Sequence, residues 1–242
     1  MVGNAMVSMI SSQLAGTGAV VWSRFVDESS CTQLQELATE LLSGSAARHL
    51  DRSTRVWHLY THGAPFTDLL VRPDFIDVLG RILGPHFLLS DYSLNTVQPR
   101  QPVDDWHVDY PYNAMPSILF EPFLGLQCIL ALGRFTADNG ATQYVAGSHL
   151  DPDPPSQHAL EHSTFTADPG DLLLMSARTS HRSGFNDSEA QRTALLFSFV
   201  QRWIRPMSQP HGPAPWALGS CLRLMLGLDP PAGTPYQSPD RI

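Results

Sequence analysis

The stretch Trp106-His107-Val108-Asp109-Tyr110 places an imidazole and a carboxylate two residues apart. On an extended backbone, positions i and i+2 share a face, so both side chains can reach one ion. They are two of the three ligands of a 2-His-1-carboxylate site, the open-sided arrangement that holds Fe(II). Spacing alone does not select this pair. The chain carries three such triplets: His49-Leu50-Asp51, His107-Val108-Asp109 and His149-Leu150-Asp151.

The surroundings separate them. Downstream lie Asp168-Pro169-Gly170, a turn, then the apolar run Leu172-Leu173-Leu174-Met175, then Ser180-His181-Arg182-Ser183-Gly184-Phe185-Asn186 and Gln191-Arg192. This reads as a turn, a buried strand, a histidine at its end, and an arginine opening the next strand. Arg192 precedes the apolar run Ala194–Phe199. A guanidinium there is expensive to bury unpaired, so an anion is its expected partner.

Composition narrows the remaining classes. Fifteen basic against 23 acidic residues give a net charge of −8, with no basic run, so neither nucleic acid nor an anionic membrane is an expected partner. All the basic residues are arginine. The absence of lysine excludes a Walker A lysine, Schiff-base chemistry and a kinase-type ion pair. Cys31, Cys128 and Cys221 form no C-x-x-C pair or disulfide framework, which fits a reducing compartment. No signal-like leader or membrane-length apolar run is visible, and a soluble, cytoplasmic protein is expected.

The elements that must position these residues fall into two halves. Residues 1–28 read as an irregular Ser/Gly-rich lead with a strand at Gly18–Trp22. Ser29-Ser30 offers a cap for a helix over 30–43, where Leu34, Leu37, Leu41 and Leu42 recur at helical spacing. The segment 48–63, holding Trp57, His58, Tyr60 and His62, reads as a loop or edge strand. A second helix is expected over 66–83, interrupted at Arg72-Pro73. Strands follow near 87–97, 106–110, 124–133, 142–146, 163–166, 171–176 and 192–203, with a loop or lid at 152–155 and a short apolar helix over 218–228. Helices first and strands afterwards predict an α+β, mainly β domain rather than a parallel sheet.

The ordered pattern H-x-D, D-N-G, G-S-H, G-D-L, H-x-S-G-x-N and R resembles the phytanoyl-CoA dioxygenase family of Fe(II)/2-oxoglutarate oxygenases, from about Ala19 to Arg205. The resemblance implies a double-stranded β-helix (jelly-roll, cupin-like) barrel with flanking N-terminal helices, in one domain over 1–242 whose tail, 206–242, packs on the core. It implies His107, Asp109 and His181 as metal ligands and catalytic centre. Arg192 and Ser183 would bind the distal carboxylate of 2-oxoglutarate, and Asn95 and Gln98 would offer polar contacts to it. His149 would belong to a structural turn, and His49 to solvated surface. Ile129 stands where many relatives carry an aromatic.

Fe(II), 2-oxoglutarate and O₂ are thus the expected cofactors. The expected reaction is oxidation, most simply hydroxylation, of a small molecule such as an amino acid or natural-product intermediate, with release of succinate and CO₂. Related halogenases replace the carboxylate by Gly or Ala, so Asp109 favours hydroxylation over halogenation. The alternatives are a cupin-like metal enzyme without 2-oxoglutarate and a catalytically silent barrel that binds. A CoA thioester is disfavoured because no basic cluster is available for its phosphates. Trp57, His58, Tyr110, Tyr112, Arg134 and Trp203 are candidate pocket residues, each read in the first instance as core or surface packing.

Overall fold

A computed structural model describes residues 4–115, 123–151, 161–212 and 218–231. The chain opens with helix α1 (Asn4–Thr17), strand β1 (Ala19–Trp22) and helix α2 (Glu28–Ser43). Short strands β2 (Arg48–His49) and β3 (Thr54–Trp57) precede helices α3 (Ala64–Leu70) and α4 (Pro73–Leu83). Then come β4 (Leu88–Val97), β5 (Gly125–Ala131), β6 (Thr142–Tyr144), β7 (Ser163–Thr164), β8 (Leu172–Ser176), β9 (His181–Ser183) and β10 (Arg192–Val200), followed by the short helix α5 (Ser220–Met225). Seven strands form one sheet in the order β1-β8-β5-β10-β4-β3-β2, and three form another, β7-β6-β9. Every pairing in both is antiparallel.

The period-two rule of strands assigns the two faces of the large sheet. Leu126, Cys128 and Leu130 of β5 and Leu195, Phe197 and Phe199 of β10 join the core built by the helices. Ile129, Ala131 and Ala194, from the opposite face of the same strands, pack in a second cluster on the far side. β8 is apolar at four consecutive positions because both its faces are covered: Leu172 and Leu174 meet the helices, and Leu173 and Met175 the other cluster. Phe75 of α4 is the hub, meeting Phe25, Phe197 and Phe199 edge-on at 5.1, 5.8 and 5.6 Å between ring centroids.

Several expectations need correction. The lead is a helix rather than irregular: Val7, Ile10 and Leu14 recur at helical spacing, are buried, and pack in the main core. Burial of that stripe outweighs the weak propensity of the Ser/Gly-rich sequence. The cap of α2 is Asp27 rather than Ser29 or Ser30, its carboxylate accepting from the Ser30 amide at 2.9 Å. The interruption expected at Arg72-Pro73 is present and complete: it divides 66–83 between two helices, and Pro73 opens α4. No strand forms over 106–110, only a single bridge at His107. The loop proposed at 152–155 lies outside the described residues. The short helix near the C-terminus is present as α5, with Leu222 and Met225 buried.

One knot ties the N-terminal elements to the region of interest. Gly18 ends α1 with φ +74, and a Cβ there would lie 2.5 Å from both His149 Nδ1 and Thr179 Oγ1. His149 is fully buried and its Nε2 lies 3.2 Å from the Ala15 carbonyl. The Thr179 hydroxyl donates to the Gly18 carbonyl at 2.8 Å. Gly18→Ala therefore combines left-handed strain, about 1–2 kcal/mol, with overpacking of about 1–3 kcal/mol. We expect its urea midpoint to fall by the equivalent of about 2 kcal/mol or more; an unchanged midpoint would contradict this packing.

Candidate metal and anion site

His107 and His181 are directly opposite one another and exchange both backbone hydrogen bonds, at 3.1 and 3.0 Å. The chain around His107 forms no strand of its own and is stitched along β9 instead. The Asp104 amide donates to Ser183 O at 3.1 Å, and the Asp109 amide to Ala177 O at 2.7 Å. This pairing brings together two segments that the sequence separates. The imidazole centroids lie 4.4 Å apart. Asp109 Oδ2 lies 3.4 Å from His181 Nε2, and Oδ1 lies 4.0 Å from His107 Nε2. One ligand atom from each of the three residues falls within 4.8 Å of the others, the only such cluster among the described residues.

The outward nitrogens are free for an ion because the inner ones are engaged. His107 Nδ1 lies 3.0 Å from Asp105 O, and His181 Nδ1 lies 2.9 Å from Thr179 O. Each contact selects the tautomer with the proton on Nδ1 and a lone pair on Nε2. Burial pushes the His181 imidazole below its ordinary value, with Asp109 partly opposing, so the ring is held neutral as a ligand must be. Asp109 Oδ2 is buried without a hydrogen-bond partner. A shielded carboxylate oxygen left in this state fits a cation between the three side chains.

The triad borders a cavity of about 310 Å³ that also touches Arg192 and Ser183. Arg192 is 6% exposed, its guanidinium lies 4.4 Å from the centroid of Phe135, and its Nε has no hydrogen-bond partner. Desolvation pushes its pKa down to about 10, with Asp104 partly opposing. A buried cation beside a cavity, with no carboxylate on it among the described residues, suits an anionic ligand.

Asn95 also lines the cavity, with its Oδ1 accepting from Arg55 Nε at 2.9 Å. Gln98 does not line it; its amide donates to Thr96 Oγ1 at 2.8 Å and Thr54 Oγ1 at 3.4 Å. Ile129 forms part of the wall. Of the candidate pocket residues only Tyr110 borders the cavity, while Tyr112 is core and Trp203 is 68% exposed. His49 is exposed, as expected.

Sequence reasoning overlooked Arg55, Asp91, Gln127 and Ser198, all of which line the cavity. The available signal was polar residues at alternate positions inside otherwise apolar strands.

Comparison with known proteins follows the same lines. The family model described as phytanoyl-CoA dioxygenase matches residues 15–194. Dioxygenase af480 of Aspergillus fumigatus is 31% identical over 163 residues, 64% of this chain and 51% of that protein. Multifunctional dioxygenase ausE of Penicillium brasilianum is 35% identical over 141 residues, 53% of this chain and 46% of that protein. The chain thus spans about half the length of these curated relatives.

Among solved structures, the non-heme alpha ketoglutarate dependent epimerase SnoN from nogalamycin biosynthesis superposes with a TM-score of 0.71 at 18% identity, covering 82% of this chain and 84% of SnoN. SnoN in complex with Fe3+, alpha ketoglutarate and nogalamycin RO gives 0.69 at 17% identity, over 82% and 85% of the two chains. At such identities the likeness is one of fold.

Loss of a ligand should exceed the about 10–100-fold that loss of an outer hydrogen-bond partner typically costs. We expect His181→Ala to weaken Co(II) binding by about 100-fold or more, read from the visible d–d spectrum. Parent-like Co(II) affinity in that variant would remove His181 from the site.

Proposed function

This chain belongs to the phytanoyl-CoA dioxygenase family, and on that premise we propose that it is an Fe(II)- and 2-oxoglutarate-dependent dioxygenase acting on a small molecule. The carrying observation is one cavity that holds both an open-sided His-Asp-His cluster and a buried arginine with no anionic partner among the described residues. A cupin-like metal enzyme gives no reason to bury Arg192, and a silent barrel gives no reason to converge three ligand atoms. The two sheets are read as the halves of a double-stranded β-helix, in a single domain with the N-terminal helices on the large sheet.

His107, Asp109 and His181 would hold Fe(II), and a site with only three protein ligands would leave room for cosubstrate and O₂. When bound, the metal with 2-oxoglutarate and O₂ supplies the oxidising equivalent for a substrate C–H bond, with release of succinate and CO₂. The chain's own residues position and exclude. Arg192 fixes the distal carboxylate of 2-oxoglutarate through its planar fork. Ser183, on the strand that starts with His181, adds a hydroxyl to the same carboxylate. Asn95 has its oxygen engaged by Arg55 and keeps its amide N–H groups as donors to the cosubstrate. Gln98 supports this wall through Thr96 rather than touching the ligand. Ile129 and Leu196 line the cavity with apolar surface that keeps water from the reacting centre. Hydroxylation is the outcome assigned here, and an amino acid or natural-product intermediate the substrate.

Arg192 yields a test that separates cosubstrate binding from folding. A buried charge without an ion pair costs stability until its ligand arrives. Arg192→Met should leave the ligand-free protein at least as stable as the parent. The parent should gain about 2.7 kcal/mol from 2-oxoglutarate at a hundred times its Kd, and the variant almost nothing. In parallel, anaerobic addition of Fe(II) and 2-oxoglutarate should give a visible charge-transfer band requiring both. A band without 2-oxoglutarate dependence, or equal stabilisation of Arg192→Met, would sink the assignment.

A further inference from the structure

The inner face of the large sheet changes character along its strands. At one end stands Arg192, paired in register with Val97. Six residues along the same strand stands Ser198, directly opposite Asp91 of β4 on one side and Gln127 of β5 on the other. Ile129 and Leu196, a register pair, lie between these ends. At about 3.3 Å per residue, the two ends are ~20 Å apart. Asp91, Ser198 and Gln127 thus form one cross-strand row, and all three line the cavity.

None of the three has its hydrogen-bonding capacity met. Ser198 Oγ is shielded from solvent and has no partner. The Gln127 side chain makes no hydrogen bond to any described residue. Asp91 is half-buried and in no ion pair among the described residues. It is held in place by Ser93 Oγ, donating to Oδ2 at 3.0 Å, and by Ser208 Oγ, donating to Oδ1 at 2.8 Å. Ser208 is anchored in turn because β4 bulges at Ser90, whose carbonyl accepts the Ser208 amide at 2.9 Å. The chain following β10 therefore fixes the orientation of this carboxylate at the cavity.

We infer that this row is the substrate-recognition end of the cavity and that the group it takes is a protonated amine. The inference rests on reading the cavity as an oxygenase site. A carboxylate only accepts hydrogen bonds, and two serine donors leave part of its capacity open. Filling the cavity strips water from Asp91, and a charged donor offsets that loss about twice as well as a neutral one. An ammonium carries three N–H donors. Asp91, Ser198 and Gln127 offer three acceptors on adjacent strands about 4.8 Å apart, with Ser198 central. A substrate carboxylate placed here would face Asp91 and be repelled.

The test uses Fe(II)–2-oxoglutarate-loaded protein without O₂ and three matched probes: cyclohexylmethylamine, cyclohexylmethanol and cyclohexanecarboxylate, titrated by calorimetry at neutral pH. The amine should bind about tenfold or more tightly than the alcohol, with the carboxylate weakest. Asp91→Asn should bring the amine to the level of the alcohol, and Ser198→Ala should weaken it by less. Equal amine and alcohol affinities, a preference for the carboxylate, a preference that survives Asp91→Asn, or no binding by any probe would each overturn the inference. The charge-transfer band is read first and reports on the cofactors alone. The probes are titrated whether or not it appears, so the two readings fail separately.

Discussion

The reciprocal backbone hydrogen bonds between His107 and His181 are the constraint on which the site depends. In an antiparallel hydrogen-bonded pair the two residues are locked opposite each other with their side chains on one face. A slip of one residue would turn His107 and Asp109 together to the other face and leave His181 alone. The segment 104–109 has no ladder of its own to hold it. Its position is owed to β9 and to the Ala177 carbonyl, and hence to the apolar strand β8 that leads into them.

That strand is held in place by what covers it. Leu172 and Leu174 are buried in the same core as Phe75, and Leu173 and Met175 are buried on the opposite side. None of the described cavity-lining residues comes from the five α-helices, yet those helices pack on the sheet that contributes much of the lining. A core of this size also explains how Arg192 can be buried without an ion pair. The transfer of apolar surface, about 25 cal/mol per Å², summed over so many buried side chains, exceeds the several kcal/mol that one unpaired charge costs. The protein accepts that cost at a position where an incoming carboxylate would remove it.

The legible part of the sequence was the part where chemistry and strand period coincide. His107, Asp109, His181, Ser183 and Arg192 are recognisable by type, order and spacing, and the structure brings all five to one cavity. Asn95 joins them, whereas Gln98, one residue past the end of β4, turns to Thr96 and Thr54. The expectation for Gln98 came from the family resemblance; alternation puts position 98 on the face of Thr96, opposite that of Asn95, and Thr96 is the residue it meets. The helix over Asn4–Thr17 was hidden for a different reason. Its propensity is low, and its stripe of Val7, Ile10 and Leu14 gains meaning only from a partner surface that no local window contains. Asp91 and Ser198 were missed because a row across three strands is a property of register. Register between strands about a hundred residues apart is not written in either one.

Distance along the sheet decides how the two charged ends of the cavity behave. At ~20 Å and an effective dielectric near 20, Arg192 and Asp91 attract by under ~1 kcal/mol. Neither can serve as the other's counter-ion. Each must be satisfied locally, by solvent while the cavity is open or by a ligand when it is filled. Their opposite signs also order whatever enters. A dianion is favoured at the Arg192 end and disfavoured beside Asp91, while a cationic group has the reverse preference. The register pair Ile129 and Leu196, between the two ends on β5 and β10, presents apolar surface that offers neither charge a partner. A cosubstrate held by Arg192 through one carboxylate would direct its second carboxylate away from that end, into the cavity that His107, Asp109 and His181 also line.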